Sequence, residues 1–591
     1  MCGIAGLAGD AAREEAAATR LESLLAALAH RGRDDRGRFH DQAAGIALGH
    51  NRLAILDLSP AGHQPMVSAS GRFVLILNGE IYNYLELRRD LEREGETIAW
   101  RSGSDTEVLL ELWQRHGPAC LDRCRGMFAL ALWDRRDEVL FLARDRFGVK
   151  PLFFAGGGEA GGSLVFASEI PAFFAAGITP DSDLETWSTY LVHGLYDHGE
   201  ATFWRGIRRL LPGHLLRFEP RHGRLETRRW YDPAAAAAGP DPRSDGEVAA
   251  ELAALLEESI ELRLRADVEI GVCLSGGLDS SLLLGLLRRR LGEDLQLRSY
   301  SFYCGDERYD ELPWVEQMLA GTRVRRRFCR LEVTEVPQLA TAMARHQAEP
   351  YGGLPTLAMA KVFAAARADG IKVLLDGNGM DEAWAGYDYY RQAGTPAAAE
   401  TGRVQGSRSP ATRPEVLQPD FAALARPVAA RQILADPLAN AQLRDLESAK
   451  IPRSLRFSDR VSMASGCELR EPFLDHLLVE LGLRQPPRRK IRGEEGKWLV
   501  RRVADQLLPG GLATAPKRPV QTPQREWLRG ELAEWAAATL EKALEARPDL
   551  FVAARVRQSW AAFCQGEGDN SFPIWQWISA GLLLAPQSMS R

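Results

Sequence analysis

Several things that would point to a particular function are scarce in this sequence. The 591 residues hold eight cysteines, none of them in a CxxC spacing. That leaves no sign of a disulfide framework or thiolate metal knuckle, and suits a reducing compartment. Eleven histidines offer no HxxxH ligand pair, which disfavours zinc hydrolysis. The longest apolar stretches, such as Leu282 to Leu287, are too short to span a bilayer. The N-terminus lacks the positively charged start of a secretory signal, so a soluble cytoplasmic protein is expected. Lys+Arg number 74 against 79 Asp+Glu, a net charge of −5. This gives no general attraction to nucleic acid or an anionic membrane, and neither partner is expected. A GK[ST] phosphate loop is missing as well, which excludes the Walker class of ATP binders.

What is present is organised in two parts. The length exceeds what one hydrophobic core supports, so at least two domains are expected. Residues 1–212 mix short β-rich runs with helices. Phe73-Val74-Leu75-Ile76-Leu77 reads as a buried strand stopped by Asn78-Gly79. Ser104 or Asp105 can cap a helix carrying Val108, Leu109, Leu112 and Trp113. A hairpin is expected from Met127 to Trp133 and Val139 to Ala143, turning at Asp134-Arg135-Arg136-Asp137. Residues 213–246 read as a linker, most plainly in the Asp, Pro, Ala and Gly of 232–246. From 247 to 591 strands alternate with helices. Val248, Leu252, Leu256, Ile260 and Leu264 share a helix face, and Val268 to Leu274, Tyr300 to Tyr303 and Ile371 to Leu375 read as strands. That alternation predicts a doubly wound parallel α/β sheet. Residues 392–416, rich in Ala, Gly, Ser, Pro and Arg, are expected to form a mobile loop.

The chemistry begins at Met1-Cys2-Gly3-Ile4. Removal of Met1 would leave Cys2 with a thiol and an α-amine of pKa near ~8, able to take the thiol proton near neutrality. The thiolate attacks an amide carbonyl, and the resulting oxyanion needs donors. Asn78-Gly79 can supply a side-chain NH2 and a backbone N–H. Cys2 alone would be an ordinary small residue near a terminus. Its neighbours change that: His30-Arg31-Gly32, Arg52-Leu53-Ala54-Ile55-Leu56-Asp57, Asn78-Gly79-Glu80-Ile81-Tyr82-Asn83 and Gly103-Ser104-Asp105 follow in order. This set resembles the glutaminase domain of class II amidotransferases. The resemblance implies an N-terminal-nucleophile αββα sandwich, with Cys2 as nucleophile and Asn78 and Gly79 as oxyanion hole. It also implies that Arg52 binds the glutamine carboxylate while Glu80 and Asp105 hold its α-amine. One cation and two carboxylates match the charges of glutamine.

A second motif, Leu274-Ser275-Gly276-Gly277-Leu278-Asp279-Ser280-Ser281, lies between a strand and a helix. Its glycines let the backbone approach an anion, and its serines and the helix N-terminus can donate to phosphate. It resembles the pyrophosphate loop of the ATP-pyrophosphatase superfamily, which splits ATP to AMP and pyrophosphate. In that reading Asp279 is a Mg²⁺ ligand. Asp376-Gly377-Asn378-Gly379-Met380-Asp381-Glu382 then follows a strand, where open α/β sheets bind ligands. With Glu468-Leu469-Arg470-Glu471-Pro472-Phe473-Leu474-Asp475 it is similar to the synthetase domain of the asparagine synthetase B family, over nearly the whole chain. The resemblance implies Asp381 as a second metal ligand, and Leu274, Phe302 and Gly377 near the adenosine. Lys517, in Pro516-Lys517-Arg518-Pro519, would neutralise the phosphates.

Glutamine, ATP and a carboxylate acceptor are the expected substrates. The acceptor would be adenylated at one site, and ammonia released at the other would displace AMP, arriving through an interdomain passage. The chain departs from the family at Asn378, where an acidic residue normally takes the proton from attacking ammonia. An amide is no base. Asp376, two residues earlier, is the candidate substitute. Aspartate is the leading acceptor, and a sugar uronate or a peptide or secondary-metabolite acid the alternative. The intact Cys2 set argues against a β-lactam-forming synthetase, the phosphate loop against a phosphoribosyl or hexosamine amidotransferase. The retained motif residues argue against a silent homologue. A homodimer stays open.

Overall fold

The computed structural model describes residues 2–585 apart from 96–97, 158–161, 238, 240, 293–296, 394–410, 428–430, 509–510 and 515–520. Most of the expected 392–416 loop and the whole Pro516–Pro519 motif therefore lie outside the described residues.

The N-terminal part is two stacked six-stranded sheets. Their strands are β1 (Gly3–Gly9), β2 (Asp35–Asp41), β3 (Ile46–Arg52), β4 (Met66–Val67), β5 (Phe73–Ile81) and β6 (Gly126–Asp134). The remaining six are β7 (Val139–Arg144), β8 (Phe153–Gly156), β9 (Ser163–Ala167), β10 (Ile207–Arg209), β11 (His214–Glu219) and β12 (Arg224–Arg229). One sheet runs β10-β8-β9-β1-β3-β2 and the other β12-β11-β7-β6-β5-β4. Successive side chains of a strand point to opposite faces, which sorts β5 cleanly. Val74 and Ile76 pack between the sheets with Ile4 and Leu48. Phe73, Leu75 and Leu77 face the helix Asp105–His116 and its Leu109, Leu112 and Trp113. With helices on the outer face of each sheet, the result is the expected αββα sandwich.

Two local expectations are corrected. The segment 213–246 is not a linker throughout: β11 and β12 extend the second sheet, with Leu215, Leu216 and Phe218 buried in it. Nor does the strand stop at Asn78-Gly79; β5 runs on to Ile81, paired with β6. Gly79 permits this at φ 151°, where a Cβ would lie 2.0 Å from the Met127 carbonyl oxygen. The Asn-Gly turn signal is overridden by a ladder that needs glycine.

The C-terminal part holds a five-stranded parallel sheet: β13 (Ile270–Cys273), β14 (Arg298–Tyr303), β15 (Arg325–Arg330), β16 (Val373–Leu375) and β17 (Glu468–Arg470), in the order β15-β14-β13-β16-β17. Ser244 and Glu247 form a capping box on the helix Asp245–Arg263, whose Val248, Leu252, Leu256 and Ile260 are fully buried. Each contributes roughly 1.5–3 kcal/mol by leaving water. The sheet order reverses between β13 and β16, and both acidic and glycine-rich loops leave the carboxyl ends of these two strands.

The two parts share a core. Leu53, Ile55, Tyr82, Met127 and Phe147 of the sandwich pack with Leu274, Leu375 and Leu474. Ion pairs cross the same boundary: Arg31–Asp459 at 2.9 Å, Arg125–Asp475 at 3.0 Å, Arg209–Glu349 at 3.0 Å and Arg456–Asp197 at 2.9 Å, all buried but Arg125, which is partly exposed. No described helix is long and apolar enough to cross a membrane.

Candidate active sites

Cys2 precedes β1 and is buried. Its main-chain nitrogen donates to Asn78 Oδ1 at 2.9 Å, while Asn78 Nδ2 is buried with no partner among the described residues. Such a donor is costly to leave unmade; beside a nucleophile it is suited to a developing oxyanion. Burial pushes the Cys2 thiol up, against the Leu53 N–H and the Arg52 charge. The resting group is therefore a thiol that has to lose its proton at the moment of attack.

Arg52, at the end of β3, donates to the carbonyls of Leu56 and Ser59, both at 3.1 Å. Those bonds fix the guanidinium without neutralising it. Glu80 on β5 is buried, and its Oε2 has no partner among the described residues. Asp105 opens its helix beside the N-cap Ser104, and its Oδ2 accepts the Ile81 N–H at 2.7 Å. Burial raises both carboxyls, and Asp105 raises Glu80 further. The sandwich thus brings together Cys2, Arg52, Asn78, Gly79, Glu80 and Asp105 as the sequence predicted.

The second site is a cavity of about 770 Å³ at the carboxyl ends of β13 and β16. Leu274, Ser275, Gly277, Asp279, Ser280, Phe302, Asp376, Gly377, Asn378 and Asp381 all line it. Gly276 turns the loop at φ 73°, and the helix Leu278–Leu291 points its N-terminus at the cavity from Gly277. Ser280 Oγ accepts the Ser275 N–H at 3.3 Å, stiffening the loop. Gly377 runs so close to Asp279 that a Cβ would come within 3.2 Å of its Cβ.

A lysine that the sequence did not single out occupies the centre. Lys497 is buried in a left-handed backbone conformation (φ 55°), in the turn between the hairpin strand Glu495–Gly496 and the helix Trp498–Ala504. Its Nζ lies 2.7 and 2.6 Å from the two Asp279 oxygens and 2.5 Å from Asp381 Oδ1. The two carboxylates expected as metal ligands therefore converge on one cation position. Gly386 is needed there, since a Cβ would stand 1.8 Å from Asp381 Oδ1 and 2.2 Å from Lys497 Cε.

Asp376 takes the Gly377 N–H on Oδ1 at 2.6 Å and the Asn378 side-chain N–H on Oδ2 at 3.0 Å. Its recessed position pushes it up to about 6, with the Asp279 charge adding and the Gly377 N–H opposing. Glu382, also outside the sequence prediction, accepts the Tyr387 hydroxyl at 2.7 Å and is pushed to about 7 by burial and by Asp381.

One helix, Ile451–Ala464, separates the sites. Ser454, Phe457, Ser458 and Val461 line the cavity at helical spacing. Arg456, Asp459 and Arg460 face the sandwich, where Asp459 pairs with Arg31 and Arg31 Nε donates to the Cys2 carbonyl at 3.0 Å.

Known proteins share this layout. Residues 1–231 match a glutamine amidotransferase domain family, and residues 251–585 match the asparagine synthase family. A putative glutamine-hydrolysing asparagine synthetase of Mycobacterium tuberculosis is 31% identical over 97% of this chain and 95% of its own. Glutamine-hydrolysing asparagine synthetase 1 of Bacillus subtilis is 26% identical with the same coverage of 97% and 95%. The amidase chyE of Penicillium rubens is 31% identical over 66% of this chain and 60% of its own.

Proposed function

This chain belongs to the asparagine synthase family of glutamine-hydrolysing amidotransferases, and from that premise we propose that it amidates a carboxylate by way of an acyl-adenylate. The observation that carries the first half is the buried Asn78 Nδ2 beside Cys2, which has no partner among the described residues. With Met1 removed, the Cys2 nitrogen would take the thiol proton and the sulfur would attack the glutamine carboxamide. Asn78 Nδ2 and the Gly79 N–H would receive the oxyanion. Collapse to a thioester releases ammonia, and water then releases glutamate. Arg52 binds the glutamine carboxylate, and Glu80 and Asp105 bind its ammonium.

At the cavity, ATP use is expected for the family. The acceptor carboxylate attacks the α-phosphorus, pyrophosphate leaves, and ammonia displaces AMP from the acyl carbon. Leu274, Ser275, Gly276, Gly277, Ser280, Phe302 and Gly377 surround the nucleotide. Asp279 and Asp381, convergent carboxylates on a single cation position, suit Mg²⁺, a hard dication. Such an ion would neutralise phosphate charge there. Lys497 supplies a fixed positive charge at the same place; we give it the phosphate-neutralising task expected of Lys517.

Asp376 serves as the base that removes a proton from the attacking ammonia, in place of the missing acid at 378. Its hydrogen bond with Asn378 brings the two side chains to one point of the cavity. Replacing Asp376 by Asn should lower ammonia-supported amide formation by about 100-fold or more. Unchanged amide formation would remove this role.

Aspartate is the first candidate for the acceptor. A different carboxylate is the second reading, favoured by Asn378 and by the amidase relative. A panel of acids assayed for glutamine-dependent pyrophosphate release decides between them. Formation of ADP and phosphate instead of AMP and pyrophosphate would overturn the acyl-adenylate mechanism.

A further inference from the structure

The motif Glu468 to Asp475 has no task in the reaction as described so far. Its β17 is an edge strand of the parallel sheet and ends at Arg470, which is fully buried. The Arg470 carbonyl accepts the Asp376 N–H at 3.0 Å. Its side chain runs the other way, into the sandwich. Nε holds Glu468 at 2.6 Å, and Nη1 donates to the Arg263 and Arg265 carbonyls, both at 2.8 Å. Nη2 stands 3.6 Å from Glu80 Oε1 and makes no hydrogen bond among the described residues. Glu80 is thus a buried carboxylate with one oxygen facing a guanidinium from the other half of the chain and its second oxygen without a partner among the described residues.

We propose that Arg470 is a positioning residue of the glutamine site, the guanidinium that faces one oxygen of Glu80 and turns its other oxygen to the substrate ammonium. Two nearby buried carboxylates resist joint ionisation, whereas an ammonium is best held by two anions. Asp105 and Glu468 both push the Glu80 carboxyl up along with burial, and Arg470 is the side chain pulling it down. Because the same residue's carbonyl fixes Asp376, the synthetase half completes the glutamine pocket from the floor of its own cavity. The inference rests on the reading of Glu80 as an ammonium ligand.

The test uses the full chain with Arg470→Gln and Glu468→Gln together, so that Glu80 alone loses its guanidinium and Glu468 is not left as an unpaired buried charge. The KM for glutamine should rise about 10- to 100-fold while kcat changes less than about threefold, the signature of lost substrate binding. Arg470→Lys should fall between this variant and wild type. The ratio of glutamine-supported to ammonia-supported pyrophosphate release at low glutamine should drop in parallel. Glu80→Gln, measured alongside, should raise KM by itself, and adding the Arg470 change should raise it no further. An unmoved KM in R470Q/E468Q, or a further rise on top of E80Q, overturns the role of Arg470. An unmoved KM in E80Q overturns instead the reading of Glu80. If the double variant does not fold, R470K combined with E80Q runs the same cycle with the charge retained.

Discussion

Near Cys2 two buried polar atoms have no partner among the described residues, whereas in the C-terminal cavity the charges are closed on one another. Asn78 Nδ2 and Glu80 Oε2 are buried and unpartnered among the described residues; Lys497 is held by Asp279 and Asp381 within 2.7 Å. An unmade buried hydrogen bond costs about 1–3 kcal/mol; in the proposed reaction the ammonium of glutamine would satisfy Glu80 on binding, and the oxyanion would satisfy Asn78 in the transition state. The first site is thus preorganised for its ligand. On the proposed function the second would be reorganised: phosphates would draw Lys497 from its carboxylates, and a dication would take its place there.

Removing the nucleophile breaks this comparison most sharply. Cys2→Ala should lower glutamine-supported synthesis by at least about 1,000-fold while ammonia-supported pyrophosphate release persists; loss of both would mean the sites are not separable. Asn78→Ala tests preorganisation itself. It should cost about 100–1,000-fold in glutaminase kcat with a much smaller change in KM, because the donor acts on the oxyanion and not on the resting carbonyl. Steady-state glutamate release reads both.

Lys497→Met addresses the closed site. Synthesis with either nitrogen source should fall by about 100-fold, and glutamate release should survive. The variant also strips two carboxylates of their shared cation, which should destabilise the fold. Added Mg²⁺ should then raise the Tm of the variant more than that of the wild type. Equal shifts would mean that Lys497 and the ion do not share a position.

The residues of the proposed glutamine site were legible because they sit in short, ordered motifs at or near β1, β3 and β5. The parallel sheet was legible for a similar reason: Val272, Gly276-Gly277 and Leu282 mark a strand, a turn and a helix within a dozen residues. Lys497 was not legible. It reaches Asp279 from 218 residues away, in a turn where a lysine has no local signature. Arg470 was visible in a motif, but its task depends on β17 lying against the sandwich, which no local pattern encodes. The strands β11 and β12 were hidden by proximity to the Pro- and Ala-rich stretch after them. Leu215, Leu216 and Phe218 carried the apolar signal, yet Gly213 and the polar residues of β12 read as linker.

The smallest effect is in the pH profile of the cavity, and it has opposite signs in activity and stability. Asp376 is pushed up to about 6 and as a base must be ionised. Ammonia-supported amide formation, expressed per unit of NH3, should therefore fall up to tenfold per pH unit below about 6. Asp376→Asn should abolish that limb. The unfolded carboxyl titrates near ~3.9, so between about 4 and 6 the folded protein binds the extra proton and stability declines as pH rises. Below about 4 the group is protonated in both states and contributes nothing. Above about 6 the wild type carries the full penalty, about 1–3 kcal/mol for a shift of this size. Asp376→Asn, which is never charged, should then melt at a higher temperature than wild type at pH 8 and at a similar one at pH 4. A variant that is slower yet more stable, with its advantage confined to the higher pH, is what a strained base requires; a residue there for packing alone would lose stability at both.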